Sequence, residues 1–302
     1  MKWPCYTYIL LCLSSCHKHI VPKENEDNST KNLIAQQDLW RTERINALTA
    51  PQGWLSLIGL YWLKEGSNTI GSLKRNKVEV PPHFGIELGN VELNGDSVSF
   101  TPNEGLEIYS NGSLFGGGQL LSDATKDPTI LNYKSLYWYI IKRGESYGVR
   151  IKDTLAESRL NFQGIENFPF DKNWIIKAKV KQNYDDDSVK IVNVIGAESM
   201  NHVEVYLQFS KDGHAYNLVT LDDSPDYYFL IISDETTGFL TYGGGRFINI
   251  PRPKNGEDFV MIDFNRAFNP PCVFSNFATC PLPPLQNHLF FEVLAGEKKM
   301  NH

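Results

Sequence analysis

Hydrophobic and polar positions alternate with a period of two along much of the second half of the chain. Between residues 203 and 209 the apolar side chains Val203, Val205, Leu207 and Phe209 are separated by polar or amphipathic ones. Residues 176–180 repeat the pattern with lysines on the second face. Such alternation is typical of half-buried antiparallel strands with one solvated face. The second half is therefore predicted to form an antiparallel β domain, either barrel-like or a strongly curved sheet.

The first half predicts a helical segment followed by a small antiparallel β-sandwich. Apolar residues recur at roughly helical spacing from Leu33 to Leu48, and Pro51 ends the pattern. The run 54–63 is apolar nearly all round and is interpreted as a short buried helix or turn-rich segment. From Gly66 onward, short apolar runs alternate with turn residues, and Asn94-Gly95 and Asn111-Gly112 indicate hairpins. The expected fold class is mainly β, with helix confined mainly to residues 32–63.

The first sixteen residues have the pattern of a bacterial lipoprotein signal. Lys2 precedes a short apolar run, residues 5–13, which is too short to span a bilayer. Leu13-Ser-Ser-Cys16 resembles a lipobox, in which the cysteine is acylated and becomes the mature N-terminus. An ordinary secretory signal and a buried N-terminal strand are the alternatives. The pattern predicts anchoring to a membrane through lipid on Cys16, with the folded part outside the cytoplasm.

Four regions follow from these patterns. Residues 17–31 are polar, lack apolar periodicity and are expected to be a tether. The predicted division is a signal peptide at 1–15, a tether at 16–31, the helical segment and sandwich at 32–130, and the C-terminal β domain at 131–302.

The five cysteines are consistent with an exported protein. Cys5 and Cys12 lie within the signal and Cys16 would carry lipid, which leaves Cys272 and Cys280. An even pair in an oxidising compartment predicts a disulfide. Two free thiols, or a metal site completed by His288, are the alternatives, although the CxxC spacing of zinc sites is missing.

Composition and motifs exclude several functional classes. The net charge of -6 comes without a basic patch, which argues against nucleic-acid binding. The chain contains no Walker loop, no HExxH, no G-x-S-x-G and no dinucleotide fingerprint. Neither a metal nor a cofactor is predicted, and no residue stands out as a nucleophile.

Five polar residues near predicted strand ends are the candidate ligand-binding set: Asp234, Arg246, Asp263, Asn265 and Glu297. Arg246 offers five donors in a fork that suits a carboxylate or phosphate. Asp263 and Asn265 share a strand face, and Arg246 is expected to converge with Asp263. A structural pair of Arg246 with Asp234 or Asp263, and an Asx turn at Asp234, are the alternatives.

Several long segments resemble domain-of-unknown-function family 1684, a family of uncharacterised bacterial and archaeal proteins. The resemblance extends over about residues 36–298 and implies no established activity, substrate or cofactor. It implies that the polar segments above are the signature of the family. The segments that carry it are Gly53-Trp-Leu-Ser-Leu-Ile-Gly-Leu-Tyr-Trp-Leu63, Tyr147-Gly-Val-Arg150-Ile-Lys-Asp153, Thr241-Tyr-Gly-Gly-Gly-Arg246-Phe, Asp263-Phe-Asn-Arg-Ala-Phe-Asn-Pro-Pro-Cys272 and Ala278-Thr-Cys280-Pro-Leu-Pro-Pro.

Two functional hypotheses remain from the sequence. The first is a lipid-anchored envelope protein with a small-ligand-binding or hydrolase-like site in the C-terminal β domain, rimmed by the 272–280 loop. The second is a non-catalytic envelope interaction module in which the same residues form a structural salt-bridge network. The sequence does not decide whether the protein is an enzyme. An open cavity over the polar residues would favour the first hypothesis, and a sealed, fully paired cluster would favour the second.

Overall fold

The computed structural model describes residues 23–222, 224–254 and 257–300. Within these residues the chain forms two α-helices and nineteen β-strands, and the strands lie in three largely antiparallel sheets. The predicted mainly β fold with an N-terminal helix is thereby confirmed. The predicted signal peptide and the lipidation residue Cys16 lie outside the described residues.

Helix α1 spans Lys23–Thr49, and the short helix α2 spans Glu157–Leu160. The region expected to be a tether therefore differs from the prediction, because residues 23–31 form the first turns of α1. No proline or glycine interrupts the chain between residues 23 and 49, so nothing stops the helix from extending back from its packed half. Among the described residues, no helix has the length and apolarity needed to cross a membrane.

The apolar run at 54–63 forms a strand, contrary to the helical interpretation. A single 3-10 turn, Trp54–Ser56, leads into β1, Leu57–Trp62. Leu57 packs into a cluster on one side of the strand, while Ile58 packs against a second cluster. A run that is apolar on all sides fits a strand buried between two layers as well as it fits a buried helix.

Two sheets form the predicted sandwich. The five-stranded sheet has the order β3-β2-β4-β5-β8, and the six-stranded sheet has the order β1-β11-β10-β9-β6-β7. Their bounds are β2 Gly66–Gly71, β3 Val78–Glu79, β4 Glu87–Asn94, β5 Ser97–Pro102, β6 Tyr109–Ser110, β7 Ser113–Leu114, β8 Gly118–Gln119, β9 Ile130–Tyr133, β10 Leu136–Arg143 and β11 Ser146–Asp153. The predicted hairpins are present: the turn with Gly95 joins β4 to β5, and Asn111-Gly112 joins β6 to β7.

The core of the sandwich shows that it extends further than expected. Phe100 of one sheet and Trp138 of the other are fully buried in the same cluster, with ring centroids 5.7 Å apart. The sandwich sheets therefore end at Asp153, beyond the predicted boundary at residue 130. The division of the chain into independent domains at that boundary stays a prediction.

The eight-stranded sheet has the order β17-β16-β15-β14-β12-β18, with β13 and β19 attached to β14 and β16. Its bounds are β12 Ile175–Gln182, β13 Ser188–Val192, β14 Glu198–Lys211, β15 His214–Asp222, β16 Tyr227–Asp234, β17 Arg246–Pro251, β18 Phe259–Asp263 and β19 His288–Leu289. The terminal strands β17 and β18 lie against each other, so the sheet curls into a nearly closed barrel. Leu207, Leu230 and Ile262 fill its interior, as the period-two pattern predicts.

The long proline-rich segment after β18 seals the barrel. Strands β15 and β16 pair only at Leu221–Phe229 and Asp222–Tyr228. Beyond these pairs, the fully buried Asn287 bridges the strands: its Nδ2 donates to Val219 O and Ile231 O, and its Oδ1 accepts from Val219 N. One side-chain amide thus satisfies three backbone groups that the sheet leaves unpaired.

A third apolar cluster lies at the junction of the sandwich and the barrel. Leu57 from β1 packs there with Phe247 from β17 and with Cys280. Trp54 and Cys272 flank this cluster. The outer face of the six-stranded sheet is therefore covered by the C-terminal half of the chain.

Candidate functional site

Arg246 lies at the centre of a sealed cluster and has no exposed surface. Its Nη2 donates to Asp234 Oδ2 at 2.9 Å and to Val293 O at 3.0 Å. Its Nη1 donates to the carbonyl oxygens of Ala295 and Glu297. Burial lowers the pKa of Arg246, and the neighbouring Asp234 opposes that shift. Within this fork only Nε lacks a partner among the described residues.

Asp234, at the end of β16, is saturated by its neighbours. Oδ1 accepts from Thr236 N at 2.8 Å, from the Thr236 hydroxyl and from Val293 N at 3.2 Å. The Asx turn weighed in the sequence is therefore present, and so is the ion pair with Arg246. Asp234 and Arg246 neutralise each other inside the protein, in a sealed and paired cluster.

Gly245 lets Arg246 enter that cluster. Its φ is +79°, and a Cβ at this position would lie 2.4 Å from both Ile232 O and Pro283 Cγ. Only glycine tolerates both the positive φ and the close backbone approach. The glycine run 243–245 therefore turns the chain sharply into β17.

The expected pairing of Arg246 with Asp263 does not occur. Asp263 ends β18, where its Oδ1 accepts from Asn265 N at 3.0 Å and from Asn265 Nδ2 at 2.9 Å, and its Oδ2 lies 3.4 Å from Arg266 Nε. Asp263 caps a 3-10 turn, Phe264–Arg266, which folds the carboxylate back onto its own segment. The common strand face of Asp263 and Asn265 is lost for the same reason, since the strand ends between them.

Asn265 is buried and ties three segments together. It exchanges two hydrogen bonds with the backbone of Asp171, and its carbonyl accepts from Gln37 Nε2 at 2.6 Å. The contact with Gln37 docks α1 onto the barrel. Asn265 is therefore placed apart from Arg246, in a structural junction of its own.

Glu297 is the candidate residue that reaches a cavity. Its side chain is 1% exposed, and its carboxylate accepts from Arg44 Nε at 3.1 Å and from Asn269 N at 2.7 Å. Burial raises the pKa of Glu297, and Arg44 counteracts this effect. Arg44 also donates to Asn269 O and stacks over the rings of Phe268 and Phe274.

A cleft of about 490 Å³ opens beside this pair, between α1 and the loop 163–167. We call it the α1 cleft. Two polar atoms of its lining residues, Arg41 Nε and Asn167 Oδ1, lack hydrogen-bond partners among the described residues. Its walls combine two arginines and two glutamates with apolar side chains: Trp40, Arg41, Arg44, Ile45, Gln163, Gly164, Ile165, Glu166, Asn167 and Glu297.

The sequence patterns missed Arg41 and Arg44. Both lie in the helical segment, where arginines between apolar positions are expected to face solvent. Arg44 contacts Glu297 across 253 residues of sequence, a separation that periodicity cannot bridge.

The predicted disulfide is absent, because Cys272 and Cys280 are both free thiols. Each sulfur accepts a backbone hydrogen bond from the other cysteine, at 3.0 and 3.2 Å. The thiol hydrogen bond between them lowers the pKa of Cys272 and raises the pKa of Cys280. Free thiols were the stated alternative, and the loop is held by backbone contacts without a covalent link.

The metal alternative finds no support in the described part of the chain. No three His, Cys, Asp or Glu side chains there are grouped as a metal site requires. His288 instead contacts Ser233 Oγ at 3.0 Å and Glu235 Oε1 at 3.2 Å.

These features define a β protein in which a sandwich packs against a barrel-like sheet, with a polar cleft beside helix α1. Residues 160–298 match the model of the family described as "Protein of unknown function (DUF1684)". The resemblance inferred from the motifs is thereby confirmed over this range, while the segments at 53–63 and 147–153 precede it.

Solved structures are similar to part of the chain. Among them is the solution NMR structure of an uncharacterised protein of Haloarcula marismortui, with 28% sequence identity and a TM-score of 0.39. The alignment covers 46% of this chain and 78% of that one. No curated protein matches the chain.

Proposed function

We propose that this chain is a lipid-anchored cell-envelope protein that binds a small polar ligand in the α1 cleft. The observation that carries the proposal is the position of Glu297, a buried carboxylate with a raised pKa in the wall of a 490 Å³ cleft. A carboxylate whose pKa is shifted by burial and which lies in the wall of a cleft is a candidate for a binding or catalytic group.

The cleft favours a ligand that both accepts and donates hydrogen bonds. Arg41 and Arg44 supply donors, while Glu166, Glu297 and the free Asn167 Oδ1 supply acceptors. Trp40 and the two isoleucines offer apolar contact for a carbon skeleton. A carboxylate of raised pKa beside a bound ligand can also exchange a proton, which is the hydrolase-like form of the proposal.

The membrane anchor rests on Leu13-Ser-Ser-Cys16 and the apolar run before it. Cys16→Ala should leave the signal uncleaved or release the protein from the membrane fraction, because the acyl attachment point is gone. Fractionation of cells expressing both forms checks this. A Cys16→Ala protein that is processed normally and still partitions to the membrane would contradict the anchor.

The α1 cleft is tested by a thermal-shift screen of small carboxylates, sugars and amino acids on the purified full-length protein. Ile45→Trp fills the cleft, and Asn46→Trp places the same side chain on the exposed face of α1 as the matched control. A true ligand raises the melting temperature of the wild type and of Asn46→Trp but not of Ile45→Trp. A shift that survives in Ile45→Trp would place binding elsewhere, and a screen without any shift would count against the proposal.

A second function is favoured by a different observation. The Asp234–Arg246 cluster is fully buried and internally paired, so this part of the candidate set acts structurally. If the α1 cleft binds nothing, the non-catalytic envelope module becomes the better description of the whole chain.

A further inference from the structure

Two cations lie side by side on the outer face of β11, outside the α1 cleft. Arg150 and Lys152 are two residues apart on one strand and therefore project to the same face. Arg150 stands opposite Tyr139 of β10 in the antiparallel register. This face is the one that meets the barrel, where Trp54 and Cys272 belong to the junction cluster of apolar residues.

Arg150 is buried with few partners of its own. It is 4% exposed, its Nη1 donates only a long hydrogen bond of 3.3 Å to the Tyr139 hydroxyl, and its Nε has no partner in the described structure. The guanidinium lies 5.4 Å from the ring centroid of Trp54 and 5.9 Å from that of Tyr139. Aromatic faces attract a cation but do not neutralise it.

Lys152 adds a second positive charge to the same place. Its Nζ donates to Gln52 O and lies 5.7 Å from the Trp54 ring and 5.9 Å from the Tyr139 ring. Burial lowers the pKa of Lys152 to about 8, and Arg150 contributes to the shift. Like charges therefore meet here in a partly desolvated setting.

No carboxylate within the described ranges forms an ion pair with either cation. Burying an unpaired charge is costly, so such arginines are normally paired or ligate an ion. The buried Arg150 is surrounded by four half-buried residues, Trp54, Tyr139, Lys152 and Cys272. Each of these four neighbours is itself partly exposed to solvent.

We propose that Arg150 and Lys152 form an anion-binding site at the junction of sandwich and barrel, which takes the carboxylate or phosphate group of a small molecule. The planar fork of Arg150 binds two oxygens of such a group, and Lys152 adds a point charge. Trp54 and Tyr139 pack against the remainder of the molecule. The site does not depend on the α1 cleft.

The test measures the melting temperature of the full-length protein against inorganic phosphate, and separately against acetate, at constant ionic strength. Lys152→Met removes one charge, and Arg150→Lys keeps the charge but removes the fork. Lys179→Met, an exposed lysine of β12, is the matched control. The expected result is a saturable rise for the wild type and Lys179→Met, with apparent affinity weakened about tenfold or more in the two site variants.

A second readout separates binding from general salt effects. Bound anion should slow acylation of Lys152, measured by mass spectrometry of the peptide, without slowing acylation of Lys179. If both acetate and phosphate raise the melting temperature, the site accepts carboxylate and phosphate groups. If only phosphate raises it, the site is specific for a phosphate group.

Two outcomes overturn the proposal. One is a non-saturating rise that is equal in all variants, since phosphate stabilises proteins generally by exclusion from their surface. The other is the absence of a response to either anion. A large loss of stability in Cys272→Ser would then identify the Cys272 thiolate as the counter-charge of Arg150.

Discussion

Two buried arginines in this molecule have opposite surroundings. Arg246 has 0% exposure, a carboxylate at 2.9 Å and three carbonyl acceptors. Arg150 has 4% exposure, one tyrosine hydroxyl at 3.3 Å and a lysine as its charged neighbour. Residue type and burial are nearly the same in both places, so the difference lies in the counter-charge.

That difference separates structural from ligand-directed charge. A buried arginine that carries its own carboxylate holds backbone segments together: at Arg246 both terminal nitrogens are engaged, and only Nε is without a partner among the described residues. A buried arginine without a carboxylate partner retains unused hydrogen-bond donors and an uncompensated positive potential. Both favour the binding of an external anion. Arg246 was the candidate ligand-binding cation in the sequence, whereas we propose that role for Arg150.

The largest expected effect compares the two arginines directly. Arg246→Met should lower the free energy of unfolding by about 3–5 kcal/mol, because it leaves Asp234 buried and unpaired. Arg150→Met, measured without added anion, should change it by less than about 1 kcal/mol, because it breaks no ion pair. Urea denaturation of both variants checks this, and equal losses would remove the distinction between the two regions.

A double variant sharpens the assignment at Arg246. Arg246→Met combined with Asp234→Leu removes both charges and should recover part of the stability lost by Arg246→Met alone. Arg75→Met, which breaks an exposed pair with Glu87, is the surface control and should cost no more than about 1 kcal/mol.

The next prediction concerns Asn287, a neutral side chain, and asks whether it stabilises the fold as the Asp234–Arg246 ion pair does. Asn287→Ala should cost about 1–3 kcal/mol, because three backbone groups between β15 and β16 lose their partner. Asn217→Ala, an exposed amide on β15, should stay within about 0.5 kcal/mol of the wild type. An Asn287 variant as stable as the Asn217 variant would show that water replaces the bridge.

A smaller effect concerns the pH dependence that Glu297 contributes. Since its pKa is raised on folding, the folded state holds the proton more tightly. Stability from this group is complete below the ordinary glutamate pKa of about 4.3 and is lost as the pH rises through the raised folded value. Glu297→Gln should remove this downward slope, whereas Glu145→Gln on the surface should keep it. Identical pH profiles for Glu297→Gln and the wild type would contradict the assignment.

The smallest effect is chemical and reports on the junction near Arg150. Cys272 should be alkylated by iodoacetamide before Cys280, because its pKa is lowered while that of the buried Cys280 is raised. Cys280→Ala should slow the reaction at Cys272 by removing the hydrogen bond that lowers its pKa. Peptide mapping over time follows both sites, and equal labelling rates would refute the asymmetry.

The sequence predicted the strands better than the contacts between them. Alternation at 203–209 fixes which side chains enter the barrel, since a strand has only two faces. The run at 54–63 was misjudged because uniform apolarity does not distinguish a strand between two layers from a helix. The start of α1 was misjudged because polar composition alone does not prevent a helix that lacks breakers.

The site was predictable only where the chemistry is local. The Asx turn at Asp234 and the glycine turn before Arg246 follow from neighbouring residues. The contact of Arg44 with Glu297 and the crowding of Arg150 with Lys152 at the barrel depend on how distant elements pack. At Asp263 the sequence predicted a long-range contact with Arg246 that does not form. The carboxylate instead caps a local turn and therefore points away from Arg246.

The docking of α1 determines how mechanical load would enter the protein. The helix is 27 residues long, which corresponds to about 40 Å. It is fastened within its C-terminal half by Gln37 to Asn265, by Arg41 to Phe168 O and by Arg44 to Glu297. Tension applied at its N-terminal end therefore reaches these three bonds one after another, beginning at the barrel and ending at the α1 cleft.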